Sequence, residues 1–154
     1  MRKKVKVFTL CRKQSYVDKA ALIGFACWVA MESQMKRELK LMDVRAWIVP
    51  AINHQQILFF FDDFDRPIGY ITWANLAPDT EQRLLKARDF SLHDAEWDEG
   101  RRTWIIDCCF LEGRAGHAEP EIHRLLKAEG IDKIFWTRRD ENNVVKAIIE
   151  NVLH

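Results

Sequence analysis

Hydrophobic positions along this chain repeat with two different spacings, and the change of spacing predicts a mixture of helices and strands. The mostly apolar segment Tyr16–Met31 predicts a first helix. Short runs of branched and aromatic residues, bounded by turn residues such as those of Asp62–Pro67, predict strands and one hairpin. The predicted strands are Arg45–Val49, Ile57–Phe61, Ile68–Trp73, Arg102–Phe110 and Lys133–Thr137.

Further helices are expected before, between and after these strands. Loops are expected at Ser91–Glu99, which is acidic, and at Leu111–Glu119. The predicted helices are a short one with Met31, Met35, Leu39 and Met42 on one stripe, one from Pro78 to Arg88 capped by Asp79 or Thr80, one from Pro120 to Gly130, and one over Asn142–Leu153. Antiparallel strands followed by a strand, loop, helix and strand indicate an α+β layer fold.

Length and composition fit one globular domain over residues 1–154, with 48% hydrophobic and 31% charged residues. A net charge of +1 gives no strong case for nucleic acid. Six basic residues and no acidic ones lie between Met1 and Val17, so residues 1–15 are expected to form a flexible basic N-terminus or a docking patch for an acidic partner.

The sequence shows neither a recognisable targeting segment nor a metal-binding spacing. No signal peptide is visible, because the basic start is not followed by an apolar run with a cleavage site. Ala20–Met31 is too short to span a bilayer, so a cytoplasmic location is expected. The four cysteines lack CxxC spacing, which argues against a disulfide framework or a metal site.

One carboxylate lies in the middle of the strand Arg102–Phe110 and is the first candidate for chemistry. Strict alternation places Asp107 on one side with Thr103, Ile105 and Cys109, and places Trp104, Ile106, Cys108 and Phe110 on the other. A charge among apolar neighbours is costly unless it is paired or used. Asp107 is therefore either a functional acid or base, or the partner of Arg101, Arg102 or Arg45.

Three sequence blocks resemble the toxin-activating lysine acyltransferases, the hemolysin-activator family. The blocks are Pro50–Ile52, Tyr70–Leu76 and Gly100–Gly113, and weaker similarity extends the match to roughly Gly24–Lys127. The resemblance implies a single-domain fold like that of the GCN5-related N-acetyltransferases (GNAT), with a mixed central sheet flanked by helices. It also implies transfer of a fatty acyl chain from acyl carrier protein to a lysine of a protoxin.

The family's functional residues include an aspartate that falls on Asp107 and a histidine whose position here holds Lys36. An ordinary lysine, with a pKa of about 10.4, is already protonated near neutral pH. Lys36 can act as a base only if burial or a neighbouring cation lowers its pKa; otherwise it is a solvated helix residue. No histidine lies between Met1 and Asn53, and His117, on the loop after the Asp107 strand, is the best remaining candidate.

Residues for binding the substrate or the acyl donor follow from the same blocks. Asn75 can contact the pantetheine amide or an oxyanion, or can serve as a turn or cap residue ahead of the helix that begins at Pro78. Trp73 and Trp104 can wall an acyl channel or pack in the core. Arg102 and the loop with Gly113 and Gly116 complete the set. The partial glycine pattern suits the phosphopantetheine of acyl carrier protein better than acetyl-CoA, so no tightly bound cofactor is expected.

These observations leave several functions open. The first is an acyltransferase that uses an acyl carrier protein and acts on lysine or ornithine of a protein or ribosomal peptide. The second is a non-catalytic relative that binds the carrier protein or substrate. A CoA-dependent N-acetyltransferase is the third. Cys27 and Cys109 lie near the proposed site, but buried structural roles suit them better than nucleophilic ones. The methionine stripe can form part of the core or of a homodimer interface.

Overall fold

A mixed sheet organises the molecule. The structure, a computed structural model, describes residues 6–8, 15–34 and 38–154. These residues form a six-stranded sheet in the order β1–β2–β3–β4–β5–β6, antiparallel except for the parallel pair β4 and β5. The strands are β1 (Lys6–Phe8), β2 (Ile57–Phe61), β3 (Pro67–Leu76), β4 (Arg102–Phe110), β5 (Lys133–Arg139) and β6 (Val145–Val152).

Helices cover both faces of this sheet. They are α1 (Tyr16–Glu32), α2 (Leu41–Asp43), a π-helical stretch (Val44–Ile48), α3 (Val49–Asn53), α4 (Pro78–Lys86), a 3₁₀ turn (Asp94–Trp97) and α5 (Ala115–Ala128). A large core joins α1 and the 44–53 segment to one face of the sheet, through residues such as Ala26, Ile48 and Phe59. The other face packs against α5 through Ala118, Ile122 and Leu126. The expected α+β architecture is confirmed.

Local chemistry explains several element boundaries. Ser15 caps α1 by accepting a hydrogen bond from the Asp18 amide, and the Asp18 carboxylate accepts one from the Ser15 amide in return. At the β2–β3 hairpin, the Asp62 carboxylate accepts hydrogen bonds from the backbone amides of Phe64 and Arg66. The first helix, predicted from its apolar segment, and the hairpin, predicted from its turn residues, are both confirmed.

The predicted strand Arg45–Val49 is wrong, because these residues are helical. Its branched and aromatic residues suit a strand, but Val44 and Ile48 are used as one buried helical face instead. Pro50 has no amide hydrogen to give to the preceding turn, and the Val49 amide bonds the Val44 carbonyl in a wider turn.

The predicted helix Asn142–Leu153 is also wrong, because Val145–Val152 form strand β6. Its side chains alternate between half-buried and exposed along the whole strand. The Asp140 carboxylate accepts hydrogen bonds from the amides of Asn142 and Val144, which closes a tight turn and returns the chain beside β5. The apolar positions of this segment fit both the period of a helix and the period of a strand, and pairing with β5 selects the strand.

Three smaller predictions fail around the helices. Helix α5 begins at Ala115 rather than Pro120, so Gly116 lies in its first turn and not in a loop. Helix α4 is preceded by Ala77, whose methyl group cannot cap it, in place of Asp79 or Thr80. The segment Ser91–Glu99 is not simply a loop, since it contains the 3₁₀ turn with Trp97 fully buried.

The predicted short helix with the methionine stripe is not found in the described residues, because Ser33, Gln34 and 38–40 are not helical. Met31 and Met42 are 62% and 79% exposed and therefore are not core residues. Met35 lies outside the described residues. A homodimer interface there stays a prediction.

At the N-terminus, Lys6–Phe8 lie in the segment expected to be flexible and form β1 against β2. None of the helices in the described ranges is both long and apolar enough to cross a lipid bilayer.

Gly100 gives a test of the sheet's end. A Cβ at this position would lie 1.8 Å from the Leu76 carbonyl oxygen, which is backbone and cannot move aside. We expect Gly100→Ala to lower the free energy of unfolding by about 3 kcal/mol. Gly24→Ala is the control, because a Cβ there meets open space in mid-helix and should add about 0.5–1 kcal/mol. Urea denaturation measures both, and equal stability of the two variants would contradict the close approach.

Candidate active site

A cleft of about 1030 Å³ opens where β4 and β5 separate. Both strands lie entirely in the described part of the chain, and they pair at Thr103↔Ile134 and Trp104↔Phe135 and no further along. Beyond that point β4 stays hydrogen-bonded to β3, and β5 stays hydrogen-bonded to β6. The gap is walled by Ile105–Cys108 of β4 on one side and by Thr137 and Arg139 of β5 on the other.

A bulge in β4 sets the direction of Asp107. Thr72 of β3 pairs with Asp107 and the next residue, Trp73, pairs with Ile105, so Ile106 is the extra residue. The strict alternation predicted for this strand is therefore wrong. Ile105 packs on the α5 side, whereas Ile106 and Cys109 pack on the α1 side.

Asp107 is half-buried at the cleft wall. Its Oδ2 accepts a hydrogen bond of 3.1 Å from the Tyr70 hydroxyl, which lies on the α1 side, and its Oδ1 accepts one of 2.9 Å from the Cys108 amide. Burial, and secondarily the charge of Asp107, raise the pKa of Tyr70, so this hydroxyl stays protonated and donates.

The rest of the cleft combines apolar and charged side chains. Leu39, Trp47, Ile48, Leu84 and Phe90 face it together with the isoleucines of β4. The charged groups among the described lining residues are Glu38, Asp43, Asp89 and Asp107, against Arg88 and Arg139. Four carboxylates and two guanidinium groups leave this lining net negative, which favours a cationic ligand.

Asn75, predicted to contact the donor, lies at the end of β3. Its Nδ2 donates to Asp98 Oδ1 at 2.8 Å, and its Oδ1 accepts from the Thr103 hydroxyl at 2.7 Å. Its backbone carbonyl accepts from the amides of Glu99 and Gly100. The side chain therefore ties the 98–100 turn to β3 and β4, whereas the residue at the cap of the helix that begins at Pro78 is Ala77.

The two tryptophans lie on opposite faces of the sheet. Trp73 is 5% exposed in the core beneath α5, and Trp104 is 1% exposed beneath α1, stacked on Phe135. Neither tryptophan is among the described residues that line the cleft. Both side chains serve the core in this structure.

Arg102 lies at the start of β4. Its guanidinium pairs with Glu81 at 3.2 Å and lies 4.3 Å above the Phe135 ring. It lies five positions before Asp107 on the strand, which corresponds to about 16 Å. The suggested ion pair between Arg102 and Asp107 is therefore not formed, and Arg102 instead borders a second, smaller groove.

The glycine segment follows β4 directly. Gly113 has φ of +74°, and Gly116 and His117 are exposed in the first turn of α5. These residues lie just beyond the β4 strand that carries Asp107, but outside the described lining of the cleft. Lys36 lies outside the described residues, two positions before Glu38 in the sequence.

Two arginines that the sequence did not single out bind residues of the cleft lining, Arg83 through the Ser91 carbonyl and Arg139 through the Leu84 carbonyl. Arg83 donates to both carboxylate oxygens of Glu96, at 2.7 and 2.8 Å, and Thr80 donates to the same carboxylate. The Arg83 hydrogen bonds lower the pKa of Glu96 to about 2, against the opposing effect of burial. Arg139 donates to the Leu84 carbonyl at 2.6 Å and the Asn143 carbonyl at 2.8 Å. Only the acidity of 91–99 hinted at this network.

Solved structures with a similar backbone define the class of fold. The chain superposes on a mosquito arylalkylamine N-acetyltransferase-like protein with a TM-score of 0.53, covering 91% of this chain and 79% of that one. It superposes on a GNAT-family acetyltransferase of Listeria monocytogenes with a TM-score of 0.51, covering 90% and 78%. Identities of 8% and 11% mean that these likenesses show the fold alone. The fold is that of the GNAT acetyltransferases, as predicted.

Sequence comparison gives the family. Residues 15–149 match the RTX toxin acyltransferase family, and the chain belongs to it. A leukotoxin-activating lysine-acyltransferase of a Pasteurella haemolytica-like species is 38% identical over 86 residues, covering 56% of this chain and 51% of the relative. A protein-lysine myristoyltransferase of Kingella kingae is 31% identical over 91 residues, covering 59% and 53%. The chain spans about half the length of the curated relatives it matches.

The Glu96 carboxylate predicts an acid-dependent loss of stability. Its pKa is lowered by folding, so its contribution is fully present above the ordinary value of 4.5 and is lost as the pH falls towards 2. We expect Glu96→Gln to lower the free energy of unfolding by about 2 kcal/mol at pH 7. The difference from the unsubstituted protein should shrink between pH 4.5 and 2, measured by urea denaturation. Exposed Glu141→Gln is the control, and a pH-independent difference would contradict the assignment.

Proposed function

We propose that this protein is an acyltransferase that moves a fatty acyl chain from the thioester of an acyl carrier protein to the side-chain amine of a lysine in a protein or peptide. Family membership supports the reaction class, and relatives of this chain carry names of lysine acyltransferases and of a lysine myristoyltransferase. The observation that carries the proposal is Asp107, held by two hydrogen bonds at the wall of the cleft between β4 and β5.

The lining of the cleft suits both substrates. Apolar side chains, including Trp47, Phe90 and Ile106, can cover an acyl chain and exclude water from the thioester. The excess of carboxylates attracts a lysine ammonium group and would disfavour an anionic acceptor. An amine and an apolar chain can therefore meet in the same space.

The donor's extended arm has a place to bind along β4. Past Trp104 the edge of β4 that faces β5 is released from strand pairing. An extended chain with amide groups, such as phosphopantetheine, can hydrogen-bond to such an edge. Gly113 and the start of α5 follow where that edge ends. The phosphopantetheine arrives as part of the donor substrate, so no resident cofactor is required.

In the proposed reaction the bound lysine ammonium first releases one proton to solvent, and the neutral amine nitrogen then attacks the thioester carbonyl carbon. A C–N bond forms, the C–S bond breaks, and the carrier's thiolate leaves. Asp107 holds the incoming amine and accepts the proton that the nitrogen loses as the amide forms. That proton then passes to the thiolate, so the carrier leaves as a free thiol and the protein returns to its starting state.

Removing the Asp107 carboxylate tests this role. We expect Asp107→Asn to lower the rate of acyl transfer by about 10²–10⁴-fold, because the amide cannot accept the proton. Intact-mass spectrometry follows loss of acyl groups from carrier proteins of several chain lengths and their gain by lysine peptides. Asp63→Asn, an exposed carboxylate on the β2–β3 turn, is the matched control and should keep full activity.

The donor and acceptor are tested in the same assay. Acyl-CoA with the same chain replaces the acyl carrier protein in one arm, and ornithine replaces lysine in the peptide in another. Faster transfer from acyl-CoA would overturn the proposed donor. Binding of the carrier without turnover, with every acceptor present, would favour the non-catalytic function instead.

Lys36 is proposed as a second catalytic group because it occupies the family's histidine position. We expect Lys36→Ala to lower the transfer rate at neutral pH by about tenfold or more, and Lys36→His to restore it, since imidazole accepts protons near pH 7. Initial rates at pH 6 to 9 measure this effect. Full activity of Lys36→Ala would show that Asp107 acts without it.

A further inference from the structure

We propose that Tyr70 is a positioning residue for Asp107: its hydroxyl fixes the carboxylate in the orientation that acyl transfer requires. This inference rests on the catalytic role proposed for Asp107. Tyr70 lies on a different strand, 37 positions before Asp107 in the chain. It is not one of the described residues that line the cleft.

Strand register brings the two side chains together. Tyr70 of β3 pairs with Cys109, and Asp107 lies two residues earlier on β4, diagonally across from Tyr70. Diagonal neighbours on antiparallel strands are within reach of a long aromatic side chain. The 3.1 Å hydrogen bond from the Tyr70 hydroxyl to Asp107 Oδ2 is such a contact.

The Tyr70 side chain is held rigidly. It is 0% exposed in the core beneath α1, and its ring centroid lies 6.2 Å from that of Phe59. Because burial keeps the hydroxyl protonated, it presents a fixed donor to the carboxylate at every working pH. A buried and packed phenol can therefore transmit its position to Asp107.

The bulge explains why Asp107 needs such support. Asp107 follows Ile106, the extra residue of β4, where regular alternation of side chains is interrupted. The Cys108 amide binds Oδ1, but this contact lies within the same irregular segment. The Tyr70 hydroxyl is a donor from outside that segment, and the two bonds together fix the plane of the carboxylate.

Thr72 is the other hydroxyl on this face near Asp107, directly opposite it in the β3–β4 register. It is fully buried, and its Oγ1 has no hydrogen-bond partner among the described residues. The carboxylate is thus held by Tyr70 and not by its directly opposite neighbour. Thr72 therefore supplies a local control.

The kinetic test compares Tyr70→Phe with two controls. Tyr70→Phe keeps the packed ring and removes the hydroxyl, so we expect kcat for acyl transfer to fall about tenfold or more while KM for the acyl donor changes less than about twofold. Tyr16→Phe makes the same change at the chain's other tyrosine, which is 92% exposed, and Thr72→Val removes the opposing hydroxyl. Both controls should retain kcat.

A spectroscopic test reports the hydrogen bond without any assay of turnover. Tyr16→Phe leaves Tyr70 as the sole tyrosine, so labelling with [13Cζ]tyrosine gives one NMR signal. We expect Asp107→Asn in this background to shift that signal, because the charged acceptor of the phenol is lost. Asp63→Asn should leave it in place.

The outcomes separate the two proposals. Loss of turnover in Asp107→Asn and Tyr70→Phe, with a shifted tyrosine signal, supports positioning by Tyr70. Full kcat in folded Tyr70→Phe beside inactive Asp107→Asn overturns positioning but leaves the proposed function. Full activity of Asp107→Asn removes the proposed function and this inference with it. If Tyr70→Phe does not fold, the NMR test decides: a Tyr70 signal that Asp107→Asn leaves unmoved overturns positioning by Tyr70.

The Thr72→Val control can also overturn positioning by Tyr70. A loss of kcat in Thr72→Val equal to that in Tyr70→Phe would indicate a general packing effect.

Discussion

The candidate site depends on the early separation of β4 from β5. Two residue pairs join these parallel strands, and helix α5 connects them across one face of the sheet. Past those pairs each strand keeps its antiparallel partner on the outer side, so neither loses its whole hydrogen-bonded ladder. At the end of β5, Arg139 donates a hydrogen bond to the Leu84 carbonyl of α4, which ties this strand to the helix rather than to β4. The cleft is thus a consequence of strand pairing.

The bulge in β4 converts this gap into a site with a defined chemical group. Without the extra residue Ile106, regular alternation would carry Asp107 and Ile105 on the same side. With it, Ile105 contributes to the core beneath α5, and Asp107 meets the hydroxyl of Tyr70 beneath α1. The apolar lining is supported separately, because the Arg83 guanidinium that pairs with Glu96 also lies 5.6 Å from the centre of the Phe90 ring.

Residue by residue, the sequence anticipated more of the fold than of the site. The strand around Asp107 was predicted with its observed limits, because branched and aromatic residues between Gly100 and Gly113 leave little choice. Asn75 and Trp104 were ambiguous, since the same residue types serve turns, cores and ligand contacts. Tyr70 carried no local signal because its partner Asp107 lies 37 positions away, and nothing local indicated the bond from Arg139 to Leu84, 55 positions away.

The sequence by itself determined the α+β class, the first helix, the β2–β3 hairpin and the Asp107 strand, since each rests on short-range periodicity, capping or turn chemistry. It also carried enough family pattern to indicate an acyltransferase. Tertiary structure decided that Val145–Val152 is a strand and that Val44–Asn53 is helical. The apolar positions of both segments are compatible with a helix and with a strand, so the elements they pack against decide between the two. Tertiary structure alone decided where β4 leaves β5 and which way Asp107 faces, because one unpaired residue in a register between distant strands reverses every side chain that follows.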